Sequence, residues 1–175
     1  HVTGVQTCAL PIYRSRGSEA LMARPTAASL RMPGLAAVLL AIAAALPPLL
    51  VRYPAMTDFP AHLAAWHVWL NGDRNPLLAA HYAADWHLMP NLGAELLVLC
   101  LAPIFGIEEA GRIIAVTIPA LSVLSLLSVE WALRKRIGPG SLLALATVWS
   151  PALLMGFLNF ALSLALAGFA FAAWI

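Results

Sequence analysis

Asp58 and His62 stand four residues apart in the run Tyr53-Pro-Ala-Met-Thr-Asp-Phe-Pro-Ala-His62, a spacing that puts both on one face of a helix. A carboxylate and an imidazole placed so can share a proton or a divalent metal ion. As a general base, Asp58 would accept the proton of an attacking hydroxyl. As a ligand, it would help hold a divalent cation that neutralises a leaving anion. Two donors fall short of a zinc site, which takes at least three protein ligands; His81 or His87 would have to supply the third across the same loop. A structural role competes with these. Thr57 or Asp58 ahead of Pro60 is a good helix start, with the side chain capping free N–H groups and proline in the first turn. Capping and chemistry are compatible at one carboxylate.

Other residues join this list for different reasons. Trp66 and Trp69 roughly continue the Asp58–His62 face; an aromatic belt at a membrane surface explains them, and stacking on a sugar ring is the functional alternative. Glu95 lies in an apolar segment, where a carboxylate is costly unless paired or near water. If its helix begins near Pro90, Glu95 is instead at the wet interface. Arg112 opens an apolar span and is placed either to meet a lipid phosphate or to anchor the helix. Glu130 and Arg134 have the spacing of an ion pair. Asn159, in a predicted break of the chain, is expected on the same side as Asp58. Cys100 is alone in its apolar segment, and no Gly-rich phosphate loop, Ser/His/Asp set or CxxC pair occurs.

The elements that must carry these residues are those of a membrane protein. Hydrophobic residues make up 62% and charged residues 10% of the chain, with mean hydropathy +0.85, whereas soluble domains carry about 25% charged residues. The expected class is all-α: a polytopic helical membrane protein with about four spanning helices plus juxtamembrane amphipathic helices. Membrane lipid is therefore a partner. A net charge of +2 without a basic, aromatic-interleaved patch excludes nucleic acid.

Hydropathy and charge divide the chain. Val2 to Ile12 reads as the translation of a common sequencing-adaptor oligonucleotide, so residues 1–21 are expected to be a non-native or disordered tail, with Met22 or Met32 as the native start. Residues 22–34 form a cytoplasmic N-terminus, placed there by Arg24 and Arg31. Residues 35–51 are a transmembrane helix that Pro47-Pro48 bends or ends, with a cleaved signal peptide as the rival reading. Residues 52–111 are an extracytoplasmic loop, with short amphipathic helices over 60–70 and 77–87 around the turn Asn71-Gly-Asp-Arg-Asn-Pro76. Trp66, Trp69, Tyr82 and Trp86 suit the headgroup level. Residues 92–107 either cross or lie at the surface; surface placement leaves Arg134-Lys135-Arg136 in the cytoplasm, as the positive-inside rule prefers. Residues 112–133 are a second span and 134–140 a cytoplasmic loop. Residues 141–156 and 157–175 form two more spans, broken at Ser150-Pro151 and Gly156–Asn159. The last one is truncated, as expected of an N-terminal fragment of a longer protein.

The order of these pieces resembles the N-terminal third of a GT-C-fold glycosyltransferase, the class that includes protein mannosyltransferases and lipid A aminoarabinose transferases. The resemblance runs over residues 35–175 and is carried by Thr57-Asp-Phe-Pro-Ala-His62, Pro90-Asn-Leu-Gly-Ala-Glu95, Gly106-Ile-Glu-Glu-Ala-Gly-Arg112, Arg134-Lys-Arg-Ile-Gly138 and Ser150-Pro151. It implies transfer of a sugar from a polyprenyl-phosphate donor to an extracytoplasmic acceptor, in a multi-pass protein of the bacterial inner membrane. Asp58 would be the catalytic residue; His62, Trp66, Glu95, Arg112 and Asn159 would contact substrate. The Asp58–His62 spacing, not the resemblance, makes a divalent metal ion held by those two residues the candidate cofactor. The family often shows Asp-Glu where this chain has Asp58-Phe59. A non-catalytic polytopic protein, either a transporter subunit or a GT-C-like scaffold, is the alternative.

Overall fold

A computed structural model describes residues 27–83 and 90–175; Trp86, His87 and the adaptor-like tail lie outside them. The described residues form helices and no strands. In chain order these are α1 (Ala27–Leu49), α2 (Phe59–Asn71), α3 (Pro76–His81), α4 (Gly93–Phe105), α5 (Ile107–Arg134), α6 (Pro139–Val148), α7 (Pro151–Met155) and α8 (Leu158–Trp174), with a single 3-10 turn over Gly72–Arg74. The chain is thus all-α. Among the described residues one helix, α5, is long and apolar enough to cross a membrane: it has 28 residues, and an 18-residue stretch within it has mean hydropathy 2.0.

Local chemistry explains most boundaries. Two prolines close α1, which ends at Leu49. Asn75 caps α3 by accepting from Leu77 N at 3.0 Å, ahead of a proline in the first turn. Ser150 is extended (φ −66, ψ 160) before Pro151, so the span expected over 141–156 breaks at the expected Ser150-Pro151 into α6 and α7. The start of α5 also differs from expectation. It begins at Ile107 rather than 112 and takes Glu108 and Glu109 into its first turn, where carboxylates offset the positive end of the helix dipole.

α5 is the spine of the packing. Arg112 near its start reaches Leu49 at the end of α1, while Gly34 and Ala37 of α1 line a groove with Leu127 and Trp131, so α1 and α5 are antiparallel. The same groove takes in Phe169 and Ala173, so α8 runs parallel to α5. α6 runs back along α5 from Gly138 beside Glu130 to Val148 near Ser122. The α1–α5 pairing has a topological consequence. Everything between Leu49 and Ile107 leaves and returns at one end of the bundle.

Two close approaches set the helix spacing. A Cβ at Gly168 of α8 would overlap the Ser125 side chain of α5. On α5, a Cβ at Gly111 would lie 2.9 Å from Leu63 Cδ2 and 3.0 Å from Trp66 Cζ3 of α2. The absent side chain at Gly111 is what lets α2 lay Phe59 and Trp66, each 1% exposed, into the core. Trp66 is expected at the headgroup level and is inside instead, its Nε1 buried without a hydrogen-bond partner among the described residues.

Candidate functional site

The site forms where the start of α2 meets the turn between α7 and α8. Gly156 ends α7 in the left-handed conformation (φ 93, ψ 21), with Gly156 N donating to Leu153 O and Phe157 N to Ala152 O, each at 3.0 Å. This is a Schellman stop, for which glycine is the favoured residue. The remaining orphan carbonyls of α7 are taken by the other chain segment. Thr57 N donates to Leu154 O at 3.1 Å and Asp58 N to Met155 O at 3.0 Å. Helix-end carbonyls lack intrahelical donors, so this pairing satisfies groups that would otherwise be left over.

His62 fastens the same junction from one turn further on. Its Nε2 lies 3.0 Å from Gly156 O; a carbonyl only accepts, so Nε2 carries a proton and donates. The imidazole stacks on Trp66, with centroids 5.5 Å apart and planes inclined at 29°. Trp66 is therefore the backing of His62, and its burial leaves no face for a sugar ring.

Asp58 occupies the cap position of α2 without capping it. Its backbone is helical (φ −92, ψ −1) and its side chain makes no capping hydrogen bond, whereas capping side chains reach the free N–H groups from an extended backbone. The capping role expected from Thr57-Asp58-Phe-Pro60 is therefore not made by Asp58. Its carboxylate, half-buried, lines a pocket of about 520 Å³.

Glu95 and Asn159 line this pocket as well, together with His62, Asn91 and Phe157. Asn159 Nδ2 donates to Glu95 Oε2 at 2.9 Å, and Asn159 Oδ1 accepts from Ala94 N at 2.7 Å. Asn159 thus caps α4 from another helix, since Leu92 at the local cap position makes no side-chain bond. Glu95, 9% exposed, and Asn159, 8% exposed, are each other's partner in the core. This is the pairing that a buried carboxylate requires. Glu95 also sits in the first turn of α4, where its charge is favoured by the helix dipole.

Arg112 is elsewhere. Its Nη2 donates to Leu49 O at 2.7 Å and its Nη1 to Glu109 Oε2 at 3.4 Å, so it ties the end of α1 to the start of α5. Beside it, Arg52 pairs with Glu108 at 3.2 Å and the Tyr53 hydroxyl donates to Glu108 at 2.9 Å. That bond holds the Tyr53 phenol above its ordinary pKa. His81 lies in α3 and does not line the pocket.

Among the described residues no group of three or more His, Cys, Asp or Glu is arranged to hold a metal. His62 Nε2 is committed to Gly156 O, and His87 lies outside the described residues. The uncapped Asp58 carboxylate does fit the way magnesium binds, through one or two carboxylates plus the phosphates of a substrate. Two contributors went unrecognised in the sequence: Gly156 as the wall behind Asp58, and Asn91, whose left-handed backbone (φ 65) follows Pro90 at the pocket rim. Compared with known proteins, the chain matches no family model, no curated protein and no solved structure.

Proposed function

We propose that the chain is a multi-pass membrane protein of the bacterial inner membrane and the N-terminal part of a GT-C-like glycosyltransferase. It moves a sugar from a polyprenyl-phosphate donor to an extracytoplasmic acceptor. The observation that carries this reading is that two carboxylic residues, Asp58 and Glu95, line one pocket at the end of the bundle where α1 stops and α5 starts. In the resembling family the second acid often follows the first directly. Here that position is Phe59, buried in the core, and Glu95 brings a second carboxylate to the pocket from α4.

The membrane arrangement has α1, α5, the α6–α7 pair and α8 as spans. α4, with 13 residues, is about 20 Å long and too short for a hydrocarbon core of about 30 Å. It serves as a juxtamembrane helix. The positive-inside rule assigns Arg134-Lys135-Arg136 to the cytoplasm, and the antiparallel α1–α5 pairing supports an extracytoplasmic pocket at the other end.

In this mechanism Asp58 accepts the proton of the acceptor hydroxyl. The acceptor oxygen bonds to the anomeric carbon, and the bond to the donor phosphate breaks with its electron pair leaving on the phosphate oxygen. A divalent cation entering with the donor would be held by Asp58 and would neutralise that phosphate. His62, fixed by Gly156 and Trp66, keeps the start of α2 and hence Asp58 in place. Asn159 positions Glu95.

The test is donor-dependent sugar transfer by membranes containing the full gene product. Asp58→Asn is expected to lower the rate at least a hundredfold, within the range of a lost general base. Unchanged transfer would falsify the catalytic assignment. No transfer by the wild-type protein with any polyprenyl-phosphate sugar would favour the non-catalytic alternative.

A further inference from the structure

At the opposite end of the bundle from Asp58, α1, α5 and α8 enclose a groove of about 630 Å³. Its lining includes Ala37, Leu124, Leu127, Trp131 and Phe169, with Lys135 beside them at the end of α5. Among the described residues that line it none is acidic. Glu130 pairs with Arg134 at 3.6 Å instead and lines a different hollow, between α5 and α6.

Three features point to what fills this groove. The first is length. The lining runs along α5 from Leu124 to Lys135, about 16 Å at 1.5 Å per residue, which matches the depth of one leaflet of a hydrocarbon core about 30 Å thick. The second is charge. Lys135 makes no ion pair among the described residues, and its ammonium is a compact point charge on a flexible stem. The third is backbone conformation. Lys135 stops α5 in the left-handed region (φ 52, ψ 24), a place that helices usually give to glycine. An L side chain is disfavoured there, and position 135 carries one nonetheless. Trp131, one turn earlier, accepts from Lys135 N through its carbonyl at 2.8 Å and carries the ring type that favours the headgroup level.

We infer that this groove is a binding site for an anionic phospholipid of the cytoplasmic leaflet. One acyl chain lies between α1, α5 and α8, and the headgroup phosphate rests on the Lys135 ammonium. The site rests on the membrane reading above and is independent of sugar transfer.

The experiment reconstitutes the full chain in dioleoylphosphatidylcholine vesicles with spin-labelled phosphatidylglycerol or spin-labelled phosphatidylcholine. Electron paramagnetic resonance then gives the relative association of each with the protein. Phosphatidylglycerol is expected to associate about fivefold more strongly, the gain of one basic residue at an anionic headgroup. Lys135→Gln should abolish that preference. Arg136→Gln, which removes the same charge outside the groove, should keep it, and Ala37→Trp, which fills the groove, should reduce it. Equal association of the two lipids would overturn the site. So would equal loss in Lys135→Gln and Arg136→Gln, which would mean diffuse attraction to the basic loop. A wild-type chain that fails to float with the vesicles would overturn the membrane reading, and this site with it.

Discussion

Gly156 stands directly behind Asp58: a Cβ on Gly156 would lie 3.0 Å from Asp58 N and 3.1 Å from Asp58 Cβ. Position 156 therefore controls where the Asp58 carboxylate sits. Gly156→Ala meets two penalties, the clash and a side chain at φ 93. We expect a loss of about 1–3 kcal/mol of stability, read as a lower melting temperature in detergent, with transfer falling further than stability explains. An alanine variant with wild-type melting and transfer would show that the wall is not needed.

Asp58→Asn separates chemistry from structure. A side chain that caps a helix costs about 0.5–2 kcal/mol when removed, but Asp58 makes no such bond. Both Asp58→Asn and Asp58→Ala are expected to melt within about 0.5 kcal/mol of wild type, as substitutions away from structural features do. Marked destabilisation of the alanine variant would restore the capping role.

The Glu95–Asn159 pair should behave as a coupled unit. Asn159→Leu strands the Ala94 N–H and the Glu95 carboxylate in the core, for an expected loss of about 1–3 kcal/mol. Glu95→Gln keeps an acceptor for Asn159 and should cost less than about 1 kcal/mol. A double-mutant cycle by denaturant unfolding would show a coupling of about 0.5–3 kcal/mol. Simple additivity would mean that the two side chains act separately.

At Gly111 two effects of opposite sign compete. Alanine in a helix interior gains about 1 kcal/mol over glycine, but here the new methyl meets Leu63 and Trp66. Leu63 is half-buried and can turn aside. Trp66 is fully buried and cannot, so overpacking at about 1–3 kcal/mol wins. Gly111→Ala should be destabilising by about 1 kcal/mol in the same unfolding assay, and a stabilised variant would show that α2 is free to shift.

Topology can be read by labelling. With Cys8 and Cys100 replaced by serine, single cysteines at Asp58, Glu109 and Lys135 are treated with a membrane-impermeant thiol reagent on intact cells. Positions 58 and 109 should react, after a denatured control for the half-buried 58, and 135 only after permeabilisation. Reaction at 135 in intact cells would put both α4 and the basic cluster on the wrong sides.

The sequence by itself determined the helical class, the long apolar run of α5 and the breaks at Pro47-Pro48, Ser150-Pro151 and Gly156. Hydropathy and the dihedral limits of proline and glycine act within a few residues, so these features are written locally. The edges were less legible: α5 starts five residues earlier than its apolar run, because acidic residues can join a first turn. Only the tertiary structure decided the site. It brought Glu95 to Asp58, turned His62 onto Gly156 from 94 positions away and joined Asn159 to Glu95 across 64. It also moved Trp66 from an expected surface belt into the core and gave Arg112 to the end of α1. A hydrogen bond between such distant residues depends on how helices cross and on which positions lack a Cβ, as at Gly111, Gly156 and Gly168. Those are properties of the packed bundle, which no single segment carries.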